Sequence, residues 1–201
     1  MLRRLKHFLK DQRGAASLEY IVLLLPLLAM VFVSFQIALA YHFALTAQKA
    51  VELGARIAAV RDPVYTDLPP SNGVRIGGTT GVQCAVDNQC DLTDTGPWTC
   101  SGDDLGNGVC DADAYADIFE EVARIAYLLD PSDLSITYYY GELGFAGGPF
   151  VPIVEVAIEE RPFFLQFFFN LAVGNPANGA EELQLPAVAA SAIAEDLSSR
   201  N

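Results

Sequence analysis

Hydrophobic residues crowd the start of the chain. From Tyr20 to Gln48, in YIVLLLPLLAMVFVSFQIALAYHFALTAQ, 29 consecutive residues carry no formal charge. A core helix of a soluble domain normally keeps a polar stripe, and none runs along this one. The most apolar part, Tyr20 to Ala40, meets the ~20 residues that a helix needs to cross a bilayer core. Helix formers continue through LTAQKAVELGARIAAVRD to Asp62, and Pro63 disfavours helix at the residue before it. A continuous helix from Ala15 to Arg61 would be roughly 70 Å long. Its outer half is thin, with Ala44, Ala47, Ala50, Gly54, Ala55, Ala58 and Ala59. Small residues let helices approach closely, which predicts bundling against like helices. Pro26 cannot donate to the Val22 carbonyl, so a bend or loosening is expected there.

Beyond the helix the pattern changes. Residues 62–111 open with DPVYTDLPPSNGVRIGGTTG, dense in turn formers, and read as loop with short strands at most. From Asp113 to Leu129, apolar residues Tyr115, Ile118, Phe119, Val122, Ile125, Ala126 and Leu129 recur at the spacing of an amphipathic helix. Asp113 suits its N-cap and Asp130-Pro131 its stop. Ser135 to Tyr140 is β-rich, Gly141 to Pro149 is a glycine-rich loop, and Phe150 to Glu160 alternates. Val154, Val156 and Ile158 fall on one face of that stretch and Glu155, Ala157 and Glu159 on the other, so a half-buried strand antiparallel to the previous one is expected. The triple tyrosine reads as sheet surface and core. RPFFLQFFFNLAVG then carries Phe163, Phe164, Phe167, Phe168 and Phe169, too few residues to span a bilayer. It reads as domain core or as an apolar patch on a membrane or partner. Leu183 to Glu195 permits a last strand or a helix.

The expectation is an α+β chain: a long N-terminal transmembrane helix, then a head with a small antiparallel sheet and one amphipathic helix. The segments are a leader at 1–14, a transmembrane and extended helix at 15–61, and a head at 62–201 with a Cys-rich acidic insert at 84–113.

Composition agrees with an anchored, folded protein. Hydrophobic residues make up 52%, charged ones 18%, and mean hydropathy is +0.28. Arg3, Arg4, Lys6, Lys10 and Arg13 against Asp11 make the first 14 residues +4, and the whole chain is −13, so the remainder carries −17. A body so acidic is a poor ligand for polyanions, which argues against nucleic acid as a partner. The basic cluster precedes the apolar run, which predicts a cytoplasmic N-terminus and a head outside the inner membrane. Only His7 and His42 occur. No G-x-S-x-G, H-E-x-x-H or phosphate-loop pattern is present, so no enzyme activity and no cofactor are expected.

Cys84, Cys90, Cys100 and Cys110 fall within 27 residues. Outside the inner membrane four cysteines imply two disulfides, with three possible pairings. Cys84–Cys90 with Cys100–Cys110 is preferred, because local loops close at the least entropic cost. Zinc is disfavoured by the absence of a C-x-x-C pair and of nearby histidine. DDLGNGVCDADA partly fits a calcium loop through Asp103, Asn107 and Asp111, but fails at its third position, Leu105, and its twelfth, Ala114. A solvated acidic loop stapled by disulfides is the favoured reading, with no metal.

Two readings compete for the N-terminus. In one, Ala38-Leu39-Ala40 is the small-x-small site of a cleaved signal peptide, although the apolar stretch before it exceeds the usual length. In the other, the chain is cut after Gly14. Ala15 would then carry a free ammonium, and Glu19 would be its i+4 neighbour, near the positive end of the helix dipole. A carboxylate entering a membrane segment is expensive, and pairing with that amine, or with a neighbouring subunit's, gives it a reason.

Gly14 with Glu19-Tyr20 resembles the prepilin-peptidase motif of the tight-adherence (Flp, type IVb) pilus system. Read on as RGAASLEYIVLLLPLLAM, with Pro26 midway, the segment resembles TadE-like minor pseudopilins, over about residues 10 to 60. The resemblance implies processing at Gly14 and Ala15, and assembly roles for Glu19, Tyr20 and Pro26. It implies a prepilin peptidase, other pilins and minor pseudopilins, an inner-membrane assembly platform and the lipid bilayer as partners. It places the chain as a single-pass protein of a bacterial inner membrane, its head periplasmic or extracellular, in a TadE-type or TadF-type role. It also tips Leu183 to Glu195 towards strand. A long head departs from the family's major pilins, and no D-x-S-x-S metal motif of the larger TadG-like relatives occurs. The competing class is a signal-anchored extracytoplasmic binding protein with a disulfide-stapled, calcium-holding head.

Overall fold

The computed structural model describes residues 15–86, 89–92, 95–127, 129–162, 184–185 and 187–194. Helix α1, Ala15–Val60, is one element of 46 residues, and Pro26 lies inside it without ending it. At 1.5 Å per residue its length is about 69 Å. Arg61 N still donates to Ile57 O at 3.0 Å, after which Asp62-Pro63 turns the chain away.

The two halves of α1 have different surroundings. From Glu19 to Phe35 the described side chains are exposed, apart from half-buried Leu24. From Ala47 onward, Ala47, Ala50, Val51, Ala55 and Ala58 are buried. Their spacing of three and four puts them on one face. That face packs on the chain's own head, a correction to the expected bundling against like helices. The small residues instead let the sheet and the second helix come close.

Helix α2, Ala112–Ile125, is capped by Asp111, whose side chain accepts from Asp113 N and Ala114 N. The cap therefore falls at Asp111 rather than Asp113. The helix also ends earlier than its apolar pattern, because Ala126 has left helical geometry at φ −100 and ψ 70. Leu129 is nevertheless buried in the same core.

A four-stranded antiparallel sheet holds β1 (Trp98–Ser101), β2 (Leu134–Tyr140), β3 (Pro152–Ile158) and β6 (Val188–Ile193), in the order β1-β2-β3-β6. A second, two-stranded pair joins β4 (Arg161–Pro162) to β5 (Gln184–Leu185). The expected terminal strand thus appears as β5 and β6. Period-two alternation in β3 buries Val154, Val156 and Ile158, as the sequence predicts. Register sets Val154 against Tyr138, Val156 against Ile136 and Ile158 against Leu134. Phe150 lies before β3 rather than in it, where it is buried edge-on to Trp98 at 5.5 Å.

The core is a layer of sheet closed by α1 and α2. Gly54, on α1, lies level with Val122 of α2 and Val156 of β3. Val64, just past α1, is tied to the sheet because its N–H donates to the Tyr138 hydroxyl at 3.0 Å. The aromatic segment Phe163 to Phe169 lies outside the described residues.

Candidate functional site

The site residues that the sequence points to fall in two regions: the exposed half of α1, and the disulfide-stapled face of the head. Gly14 lies outside the described residues. Ala15 is the first residue of α1, so Glu19 sits one turn further on the same face. Glu19 is exposed, and Tyr20 is exposed beside it. Pro26 is one turn and a half beyond Tyr20 within an unbroken helix. Two hydroxyls of this region fold back onto the backbone: Ser34 donates to Val31 O at 2.9 Å and Thr46 to Phe43 O at 2.8 Å. Such back-bonding spares a polar group from lipid. What remains is an apolar cylinder, with Leu23 at 71% and Met30 at 76% exposure. Among the described residues one helix is long and apolar enough to cross a membrane.

The four cysteines form two disulfides, Cys84–Cys90 and Cys100–Cys110, the pairing that loop closure favours. Cys100 lies in edge strand β1 and Cys110 directly before the cap of α2, so this bridge joins sheet to helix inside the main core. Cys84–Cys90 belongs to a smaller cluster with Ala146 and Tyr140. Beside it Asn72, 1% exposed, donates through Nδ2 to Leu143 O at 3.0 Å and Pro149 O at 3.2 Å. One amide thereby pins the glycine-rich loop to the turn-rich loop. Gly144 allows this, with φ +87 and Asn72 Nδ2 only 2.9 Å from where its Cβ would lie.

Two of the calcium candidates, Asn107 and Asp111, have local partners. Asp111 Oδ1 accepts from Asp113 N at 3.0 Å and Ala114 N at 3.1 Å. Asn107 Nδ2 faces Asp104 Oδ1 at 3.5 Å, and Asp104 Oδ2 accepts from the Ser101 hydroxyl at 2.6 Å. Among the described residues no cluster of three His, Cys, Asp or Glu side chains could hold a metal ion. An open groove of about 590 Å³ separates the end of α1 from the start of α2, with Asp62, Asp111, Asp113 and Asp117 along it. Arg61 crosses it to Asp117 at 3.2 Å. That pair is exposed and contributes little to stability.

Tyr115 and Tyr138 are buried structural groups of the head. Tyr115 donates its hydroxyl to Pro131 O at 2.6 Å and Leu134 O at 2.8 Å, and burial pushes its pKa well above the usual tyrosine value. Burial likewise pushes Tyr138 up to about 12. Tyr139 is exposed, its hydroxyl donating to Glu155 at 3.4 Å, and Tyr140 stacks on Phe150. The triple tyrosine is thus core and sheet surface.

Sequence reasoning missed Gly54, Gln36 and Asn72 as individuals. Gly54 was visible only as one small residue among several. Gln36 was visible only as an amide within an apolar run. Asn72 gave no signal beyond a turn-rich context, since its partners lie over 70 residues away.

These features fit a class, single-pass membrane proteins: a helix long and apolar enough to cross a bilayer, with the described head packed onto its C-terminal half. Residues 14–56 match the family model of TadE-like proteins, so this stretch of α1 is similar to that family. The match begins at Gly14 and ends within the head-packed half of α1. No curated protein and no solved structure matches the chain.

Proposed function

We propose that the chain is a minor pseudopilin-like subunit in assembly of a tight-adherence (Flp) pilus, cut by a prepilin peptidase between Gly14 and Ala15. The family-model match over residues 14–56, starting at the glycine before the cut, carries this reading. The leader stays cytoplasmic and the head lies in the periplasm or beyond. The action is assembly rather than catalysis. The new Ala15 ammonium pairs with Glu19, in its own chain or in a neighbouring pilin, and so sets register in the membrane. Pilins, minor pseudopilins and the inner-membrane platform are the partners, met through the exposed half of α1.

N-terminal sequencing of the protein recovered from membranes tests the reading. Ala15 as first residue is the expected result. Tyr41 as first residue would replace it with the signal-peptide reading, and Met1 with an uncut anchor.

A further inference from the structure

Asn72, Asn107 and Asn178 each precede a glycine. Such a pair is a chemical weak point, because the glycine nitrogen can reach the asparagine side-chain carbon and no Cβ stands in the way. Asn178 lies outside the described residues. The fold treats the other two pairs in opposite ways.

Asn72 is held away from this chemistry. It is 1% exposed, and its Nδ2 donates to Leu143 O and Pro149 O. Its own N–H donates to Gly148 O at 2.9 Å, and its carbonyl accepts from Gly147 N at 2.8 Å. Gly73 is pressed on the backbone of Asp91, where a Cβ would overlap Asp91 O. The amide cannot swing towards the Gly73 nitrogen without breaking buried bonds that burial makes costly to lose.

Asn107 is exposed, and so are Gly106 and Gly108 on either side. A Cβ at Gly106 or Gly108 would meet nothing within 4 Å, so the Gly108 nitrogen is open to solvent and has room for ring closure. The Asn107 amide is only loosely held, with Nδ2 facing Asp104 Oδ1 at 3.5 Å, the edge of hydrogen-bond range. The surrounding turn is nevertheless fixed. Asn107 N donates to Asp104 O at 3.1 Å, Thr66 N donates to Val109 O at 2.9 Å, and the Cys100–Cys110 bridge closes the loop.

We propose that Asn107 is a self-modifying site, converted by its own backbone to aspartate and isoaspartate, while the fold preserves Asn72. The Gly108 nitrogen gives its proton to solvent and attacks Asn107 Cγ. The new N–Cγ bond closes a cyclic imide, and the side-chain nitrogen takes up a proton and leaves as ammonia. Water then opens the ring. Opening at Cγ gives aspartate, and opening at the main-chain carbonyl gives isoaspartate, with an extra carbon in the backbone. In sum an amide and a water become a carboxylate and ammonium, with no oxidation or reduction. The product sets a second carboxylate against Asp104, where like charges repel. The site belongs to the head alone and stands whether or not the leader is cut.

The test incubates the folded full chain, in detergent, in water labelled with heavy oxygen. Reduction and digestion follow in ordinary water, so that only conversion in the folded state carries the label. Peptide masses should show labelled acid at Asn107 and an intact amide at Asn72. An isoaspartyl methyltransferase should methylate the Asn107 peptide, which marks the imide route. In the reduced, unfolded chain both sites should convert. Gly108→Ala should slow conversion at Asn107. Because Gly108 has φ +76, that variant can disturb the turn, so Asn107→Gln serves as a second. It keeps the amide at the surface, but its longer arm closes the ring poorly, and conversion should be lost. An unlabelled Asn107 in the folded chain after the time that converts the unfolded one would overturn the proposal. So would labelled aspartate without isoaspartate, or equal conversion of Asn72 and Asn107 in the folded chain.

Discussion

Gly54 and Val122 face each other so closely that a Cβ on Gly54 would lie 2.7 Å from Val122 Cγ2, with Val156 Cγ1 at 3.2 Å. Anchor and head are therefore one packed unit at this level. The C-terminal part of α1 does not leave the membrane as a free stalk but forms one wall of the head's core. A tilt or rotation of the anchor would be passed directly to α2 and β3. Under the proposed assembly through the helix, that rigidity would set the head's orientation.

Gly54→Leu should destabilise the head by about 1–3 kcal/mol, the usual cost of overpacking a filled core. Denaturant unfolding in detergent, read on the single Trp98, is the measurement. Gln48→Leu, at an exposed position of the same helix, should leave the midpoint unchanged.

Tyr138→Phe removes the acceptor of the buried Val64 N–H and should cost about 1–3 kcal/mol. The same hydroxyl predicts a pH dependence. Its pKa rises from 10.0 to about 12 in the fold, so the unfolded chain loses its proton first. Stability is full below about pH 10 and falls as pH climbs towards 12, by at most about 3 kcal/mol for this group. Tyr115, raised for the same reason, adds to the loss. Unfolding midpoints measured across this alkaline range should fall, and fall less steeply in Tyr138→Phe.

No thiol should react when the native chain is denatured without reductant, given the two bridges. Replacing Cys100 and Cys110 together by Ser should lower stability by about 2–3 kcal/mol, because that bridge sits in the main core. Replacing Cys84 and Cys90 should cost less and should loosen the glycine-rich loop first. Limited proteolysis mapped by mass would separate the two, with early cuts near Gly141 to Pro149 in the second variant only.

Processing and assembly should separate at Gly14 and Glu19. Gly14→Leu should leave an uncut precursor. Glu19→Ala leaves the scissile bond intact, so it should still be cut yet enter partner complexes poorly, with Glu19→Asp intermediate. The readout is the ratio of mature subunit in crosslinked complexes to mature subunit free in the membrane. Wild-type assembly by Glu19→Ala would show that charge pairing is not the mechanism.

The elements that local chemistry dictates were legible in the sequence. An uncharged run from Tyr20 to Gln48 makes a helix in any environment that lacks water. Alternation at Val154, Val156 and Ile158 makes a half-buried strand, and short loops favour the local cysteine pairing. What the sequence could not decide was which surfaces meet. Ala47 to Ala59 reads equally as a face for another helix or for a sheet, since small residues admit both. Only the fold shows that the chain's own β3, β6 and α2 occupy it. Asp111 and Asp113 are equally good caps by type, and the choice fell to Asp111, whose oxygen meets two free N–H groups. Asn72 and Tyr138 gained their roles from partners more than 70 residues away, because hydrogen bonds across such separations exist only once the sheet has brought the two segments together.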